Sequence, residues 1–114
     1  MDNCIFCKIA EGKIPSKKVL ETETLFAFHD IHPQAPVHVQ IIPREHIPTL
    51  NELNDTHRSL AGDMLLAAKK IARDLGVAEG GYRLVFNCGK DSGMEVYHLH
   101  LHLLGGRPMG WPPG

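Results

Sequence analysis

The chain is 114 residues long, with 43% hydrophobic and 22% charged residues, which fits a single globular domain and excludes a disordered chain. Twelve basic against thirteen acidic side chains leave a formal charge of −1, and no run of lysine or arginine supplies the footprint of a duplex nucleic-acid binder. No twenty-residue apolar stretch could span a bilayer, the N-terminus has no signal-peptide pattern, and three cysteines are too few for a stapled secreted scaffold. A reducing, cytoplasmic setting without membrane or nucleic-acid partners is therefore expected. Eight histidines are the one compositional departure.

Cys4 to Glu11 reads as a short helical segment, broken by Gly12 and Pro15. Val19–Leu20, a polar turn at Glu21 to Glu23, and Leu25 to His29 read as a hairpin. Val37 to Ile42 is a strand bounded by Pro36 and Pro43, with Val37, Val39 and Ile41 on one face and His38, Gln40 and Ile42 on the other. Asn54, Asp55 or Thr56 caps a long helix whose apolar stripe is Leu60, Met64, Ala67, Ile71 and Leu75, with Gly76 just past its end. Strands at Tyr82 to Asn87 and His98 to Leu104 follow, joined by the glycine-rich loop Gly89 to Gly93. The tail from Gly105 to Gly114 is rich in glycine and proline and holds Trp111. The expected fold class is α+β: one domain over residues 1–114, an antiparallel sheet with one long helix and a short N-terminal one.

His98-Leu99-His100-Leu101-His102 carries the chemistry. On a strand, alternate side chains share a face, so the three imidazoles line one side and the leucines the other. One metal held by all three is disfavoured, because the outer Cα atoms lie about 13–14 Å apart. A division of labour fits better. A neutral imidazole is a good nucleophile toward phosphorus near neutral pH, and neighbouring imidazoles can donate to phosphoryl oxygens as charge builds. The backbone carbonyl beside the nucleophile can set which ring nitrogen carries the proton. Cys4-x-x-Cys7 points to redox or metal chemistry, but the strand that precedes a thioredoxin-like redox pair is missing.

His98 to Leu104 matches the signature His-x-His-x-His followed by two apolar residues. Together with Phe28-His29-Asp30-Ile31-x-Pro33-Gln34-Ala35-Pro36-x-His38, Gly80-Gly81-Tyr82-Arg83, Asn87, Val96-Tyr97-His98 and the ending Trp111-Pro112-Pro113-Gly114, it resembles the Hint branch of the histidine triad family over nearly the whole chain. The resemblance implies a homodimeric purine nucleoside phosphoramidase that releases a nucleoside 5′-monophosphate such as AMP. His100 would attack the α-phosphorus and form a nucleotidyl-histidine, His102 would donate to the phosphate, and His38 would relay protons. Asp30 would accept both ribose hydroxyls, and Ile5, Phe6, Ile9, His29 and Ile31 would surround the purine. Asn87 and the loop Gly93-Met94-Glu95 would contact the phosphate and leaving group. Met94 departs from the family's frequent glutamine and cannot hydrogen-bond a phosphate oxygen with any strength; Glu95 adds negative charge that favours cationic amines.

The resemblance further implies a structural zinc on Cys4, Cys7, His46 and His98, and a tail over residues 105–114 that reaches the partner subunit of a twofold dimer. Rival readings are a dinucleoside polyphosphate hydrolase, whose branch lacks the Trp-Pro-Pro-Gly ending, a nucleotide-binding interaction or signalling module, and a zinc scaffold without chemistry.

Overall fold

The computed structural model describes residues 3–114. Helix α1, Ile5–Ala10, starts at Cys4, whose Sγ accepts from the Cys7 backbone N–H at 3.3 Å. Strands β1 (Lys18–Glu21), β2 (Leu25–His29) and β3 (Val37–Pro43) form an antiparallel meander. Asn54 then accepts from the Thr56 N–H at 2.9 Å and opens a 3-10 turn, Asp55–His57, that runs into helix α2, Arg58–Asp74. Gly76 follows the helix at φ +79°, the left-handed conformation that glycine adopts without a Cβ clash. Strands β4 (Tyr82–Phe86) and β5 (Leu101–Gly105) complete a five-stranded antiparallel sheet in the order β1-β2-β3-β5-β4.

The period of two along each strand divides the sheet into two working faces. Leu25 and Ala27 of β2, Val39 and Ile41 of β3, and Leu101 and Leu103 of β5 all pack with α2 in the main core. Of the expected stripe on α2, Met64, Ala67 and Ile71 are buried with Ala68 and Ala72, while Leu60 and Leu75 pack partly buried against the same core. The opposite face carries Phe26, Phe28 and Ile42, covered by Phe6, Ile9 and Ala10 of α1. The same face takes His38 and Gln40. Among the described residues, no helix is long and apolar enough to cross a membrane.

The last strand is shorter than its sequence suggests. The alternation holds from Leu99 onward, with Leu99, Leu101 and Leu103 all buried, but regular pairing begins only at Leu101, opposite Ile41. The cause lies in β3. The Pro43 carbonyl is taken by the ring of His98 at 2.8 Å, and proline has no N–H to offer, so the ladder cannot continue. The Leu99 N–H donates instead to the Ile47 carbonyl at 2.7 Å.

Met64 is fully buried between α2 and the sheet. Met64→Ala should therefore cost about 2–5 kcal/mol, read as a lower denaturant midpoint at unchanged slope. A smaller loss would mean that the helix does not seal the core.

Candidate active site

Strand alternation places His38 and His102. His38 lies on β3 and His102 on β5, on the face away from α2, and His38 Nε2 stands 2.9 Å from His102 Nδ1. The rings of His100 and His102 lie 4.9 Å apart, and Phe6 meets the His100 ring edge-on at 5.1 Å. The Asp30 N–H donates to the His38 carbonyl at 2.9 Å, which continues the β2–β3 pairing and holds the carboxylate beside the histidines. Asp30 Oδ2 is 3.6 Å from His38 Nε2.

Hydrogen bonds fix the tautomers. His100 Nδ1 is 2.7 Å from the His98 carbonyl, an acceptor only, so Nδ1 carries the proton and Nε2 keeps its lone pair. The Gln34 N–H donates to His38 Nδ1 at 3.1 Å, so the proton of neutral His38 sits on Nε2 and is donated to His102 Nδ1. His102 in turn holds its proton on Nε2. The result is one unprotonated nitrogen on His100 beside one N–H donor on His102. Both rings line a cavity of ≈530 Å³.

Burial keeps these rings neutral. It lowers the pKa of His38 and of His100, partly offset by Asp30 at His38 and by the His98 carbonyl at His100. His102 is pushed down to about 4, by burial first and then by its two histidine neighbours. A neutral imidazole is the nucleophilic form.

Most of the expected site residues meet in this cavity. Ile5, Phe6, Asp30, His38, Asn87, Gly93, Met94 and Glu95 line it together with His100 and His102. His29 and Ile31 border an adjoining recess that shares Asp30 and His38 with the cavity. The period of two explains His29, which follows Leu25 and Ala27 toward the α2 face. Ile9 packs against Phe26, Phe28 and Ile42 instead. His32, Gln34, Gln40 and Val96 also line the cavity and were not singled out from sequence. Gln34 and Val96 stood within the motifs that carry the resemblance, Gln40 as the residue two along from His38 on the same strand face, and His32 left no signal.

A second cluster lies at the start of α1. The ligand atoms of Cys4, Cys7, His46 and His98 all fall within 4.8 Å of one another and could hold a metal ion. His98 Nδ1 is 3.2 Å from Cys4 Sγ and 3.5 Å from Cys7 Sγ, and His46 Nδ1 is 3.4 Å from Cys7 Sγ. The bond from His98 Nε2 to the Pro43 carbonyl leaves Nδ1 unprotonated, as a ligand must be. Burial and the neighbouring Cys4 push the Cys7 thiol up, so a metal must displace its proton.

Sheet, helix and histidine cluster together define a small α+β protein with a cavity lined by neutral imidazoles. A family model described as the HIT domain matches residues 11–109, and the chain belongs to that family. It is 49% identical to the purine nucleoside phosphoramidase of Escherichia coli strain K12, covering 96% of this chain and 92% of that one. Among solved structures, a HIT family hydrolase from Legionella pneumophila Philadelphia 1 is 56% identical with a TM-score of 0.97, covering 98% of this chain and 100% of that one. A histidine triad nucleotide-binding protein from Candida albicans is 38% identical with a TM-score of 0.82, over 96% of this chain and 83% of that one.

The lowered histidines make stability pH-dependent. His38 and His102 titrate below the ordinary 6.5 when folded, so at mildly acidic pH the unfolded chain binds more protons than the native one. Their contribution is complete above about 6.5 and is lost as pH falls from there toward His102's value of about 4. Melting temperature should drop steadily between pH 7 and pH 5, and His102→Asn should flatten that slope. A slope unaffected by the substitution would count against a buried neutral His102.

Proposed function

We propose that the chain hydrolyses purine nucleoside phosphoramidates, cleaving the P–N bond through a nucleotidyl-histidine on His100 and releasing a nucleoside 5′-monophosphate such as AMP. The observation that carries this reading is the tautomer arrangement, with the free Nε2 of His100 beside the Nε2–H of His102 in one cavity. The named activity of the Escherichia coli relative supports it.

In this mechanism His100 Nε2 attacks the α-phosphorus in line with the departing amine. The ring gains positive charge, and the His98 carbonyl stabilises it by accepting from Nδ1–H. His102 Nε2–H donates to a phosphoryl oxygen, and the amine leaves with a proton drawn from solvent and handed on through His38 and His102 as the P–N bond breaks. Water then attacks the same phosphorus, displaces His100 and returns a proton, so the histidines end as they began. Asn87 and the N–H groups of Gly93-Met94-Glu95 hold the phosphate, and the carboxylate of Glu95 favours cationic leaving amines. Asp30 accepts from the ribose hydroxyls. Ile5 and Phe6 wall the purine, with His29 and Ile31 at the adjoining recess and Ile9 packed beneath Phe6.

Zinc suits the second cluster. A tetrahedral ion with bonds of about 2.3 Å to sulfur and 2.0–2.1 Å to nitrogen sets ligand sulfur and nitrogen about 3.5 Å apart, near the 3.2–3.5 Å observed here. Two cysteines and two histidines leave no open position, so zinc would act as a crosslink and take no part in the reaction. A homodimer is also part of this reading: Leu65 and Leu66 are exposed on α2, β4 is an edge strand, and Trp111 in the tail is 82% exposed. A second copy would cover this surface, with the tail over residues 105–114 reaching the partner. A cytoplasmic location agrees with cysteines kept reduced for metal.

His100→Ala should abolish turnover of an adenosine phosphoramidate while AMP affinity stays within about tenfold, since only the nucleophile is lost. Retention of more than a small fraction of activity would reassign the nucleophile. Protein produced with zinc should contain about one ion per chain, and chelation should lower its melting temperature. Metal-free protein of equal stability, indifferent to Cys4→Ser, would remove the structural role.

A further inference from the structure

Among the described residues, Gln40 alone has a buried side-chain polar atom without a hydrogen-bond partner. The residue is 8% exposed and lines the cavity that holds His38, His100 and His102. Strand register sets it opposite Phe28 on β2 and His102 on β5, on the face that carries His38. Chemistry orients its amide. Asp30 Oδ2 lies 2.6 Å from one terminal atom, and an ionised carboxylate only accepts, so that atom is Nε2. Oε1 is thereby committed as an acceptor with nothing to accept from.

We propose that Gln40 reads one hydroxyl of the substrate's ribose, its Oε1 accepting that O–H while Asp30 accepts from the neighbouring one. The inference rests on the nucleotide reading above and adds a second residue to its ribose side. Asp30 Oδ1 already takes the His32 N–H at 2.8 Å, and Oδ2 takes Gln40 Nε2. What remains at this corner is acceptor capacity alone, on Asp30 and on Gln40 Oε1. No lysine or arginine is among the described residues lining the cavity, so this corner selects its ligand through donors. A vicinal diol brings two neutral O–H donors on adjacent carbons, which matches two adjacent acceptors. A site built to bond a hydroxyl rejects the analogue that lacks it, because its own acceptor is left unpaired.

Calorimetric titration of the whole chain with AMP, 2′-deoxyAMP and 3′-deoxyAMP tests the proposal. The wild-type protein should bind AMP at least about tenfold more tightly than either deoxy ligand. Gln40→Met and Gln40→Leu, checked for unchanged melting temperature, should bring one of the two ratios to within about twofold and leave the other standing. If both ratios collapse together, Gln40 only props Asp30, and the proposal falls. It falls equally if neither ratio moves. Wild-type protein that binds all three ligands alike overturns it with no variant needed. The hydrolase reading is judged separately, by phosphoramidate turnover: ribose discrimination without turnover sinks that reading and spares Gln40, while turnover with unmoved ratios does the reverse.

Discussion

The ring of His98 is wholly buried, and a buried imidazole needs partners for both nitrogens inside the protein. Nε2 takes the Pro43 carbonyl, Nδ1 faces the thiols of Cys4 and Cys7, and the backbone carbonyl of the same residue accepts from His100 Nδ1. One residue therefore ties together the end of β3, the start of α1 and the tautomer of His100. Helix α1 is only six residues long, too short to persist by its own propensity. It is held by the cysteine–histidine cluster beneath it and by Phe6 and Ile9 packed on the sheet. Because Ile5 and Phe6 of that helix line the cavity, the cysteine–histidine cluster and the cavity are parts of one arrangement.

Beyond that anchor, the sheet acts as a partition. Aliphatic residues of β2, β3 and β5 face α2 and form the main core, while the intervening positions supply His38, Gln40 and His102 to the other side. Shifting any of these strands by one residue would exchange core and site, so the packing of α2 specifies the catalytic face as firmly as any direct contact does. Burial of the site face in turn depresses the histidine pKa values, which keeps the rings in the form that attacks and donates.

How much of this could be read in the sequence depended on whether the signal was local. The alternation of Leu99 to Leu103 and of Val37 to Ile42 survives intact, and the capping residue Asn54 and Gly76 mark α2 and its approach where expected. The true start of β5 was not legible, because it depends on a ring-to-carbonyl bond between residues 55 apart in the chain. The metal cluster needed the family resemblance: Cys-x-x-Cys alone is a weak signal, and His46 and His98 lie 39 and 91 positions beyond Cys7. His29, at the end of β2, borders both the recess it shares with Ile31 and Asp30 and one beside Ile71 and Leu75 of α2. Gln40 was overlooked. A glutamine on the polar face of a strand draws no notice until folding brings Asp30 to 2.6 Å from its amide.

The lining of the cavity also governs how tightly a nucleotide can be kept. With no lysine or arginine among the described lining residues, the charge of a bound phosphate is met by imidazole and backbone N–H dipoles rather than by a permanent cation. Such dipoles are aimed at the geometry in which charge is building, and they hold a departing dianion less firmly than a fixed opposite charge would. On the proposed reaction, release of the monophosphate would thereby be eased.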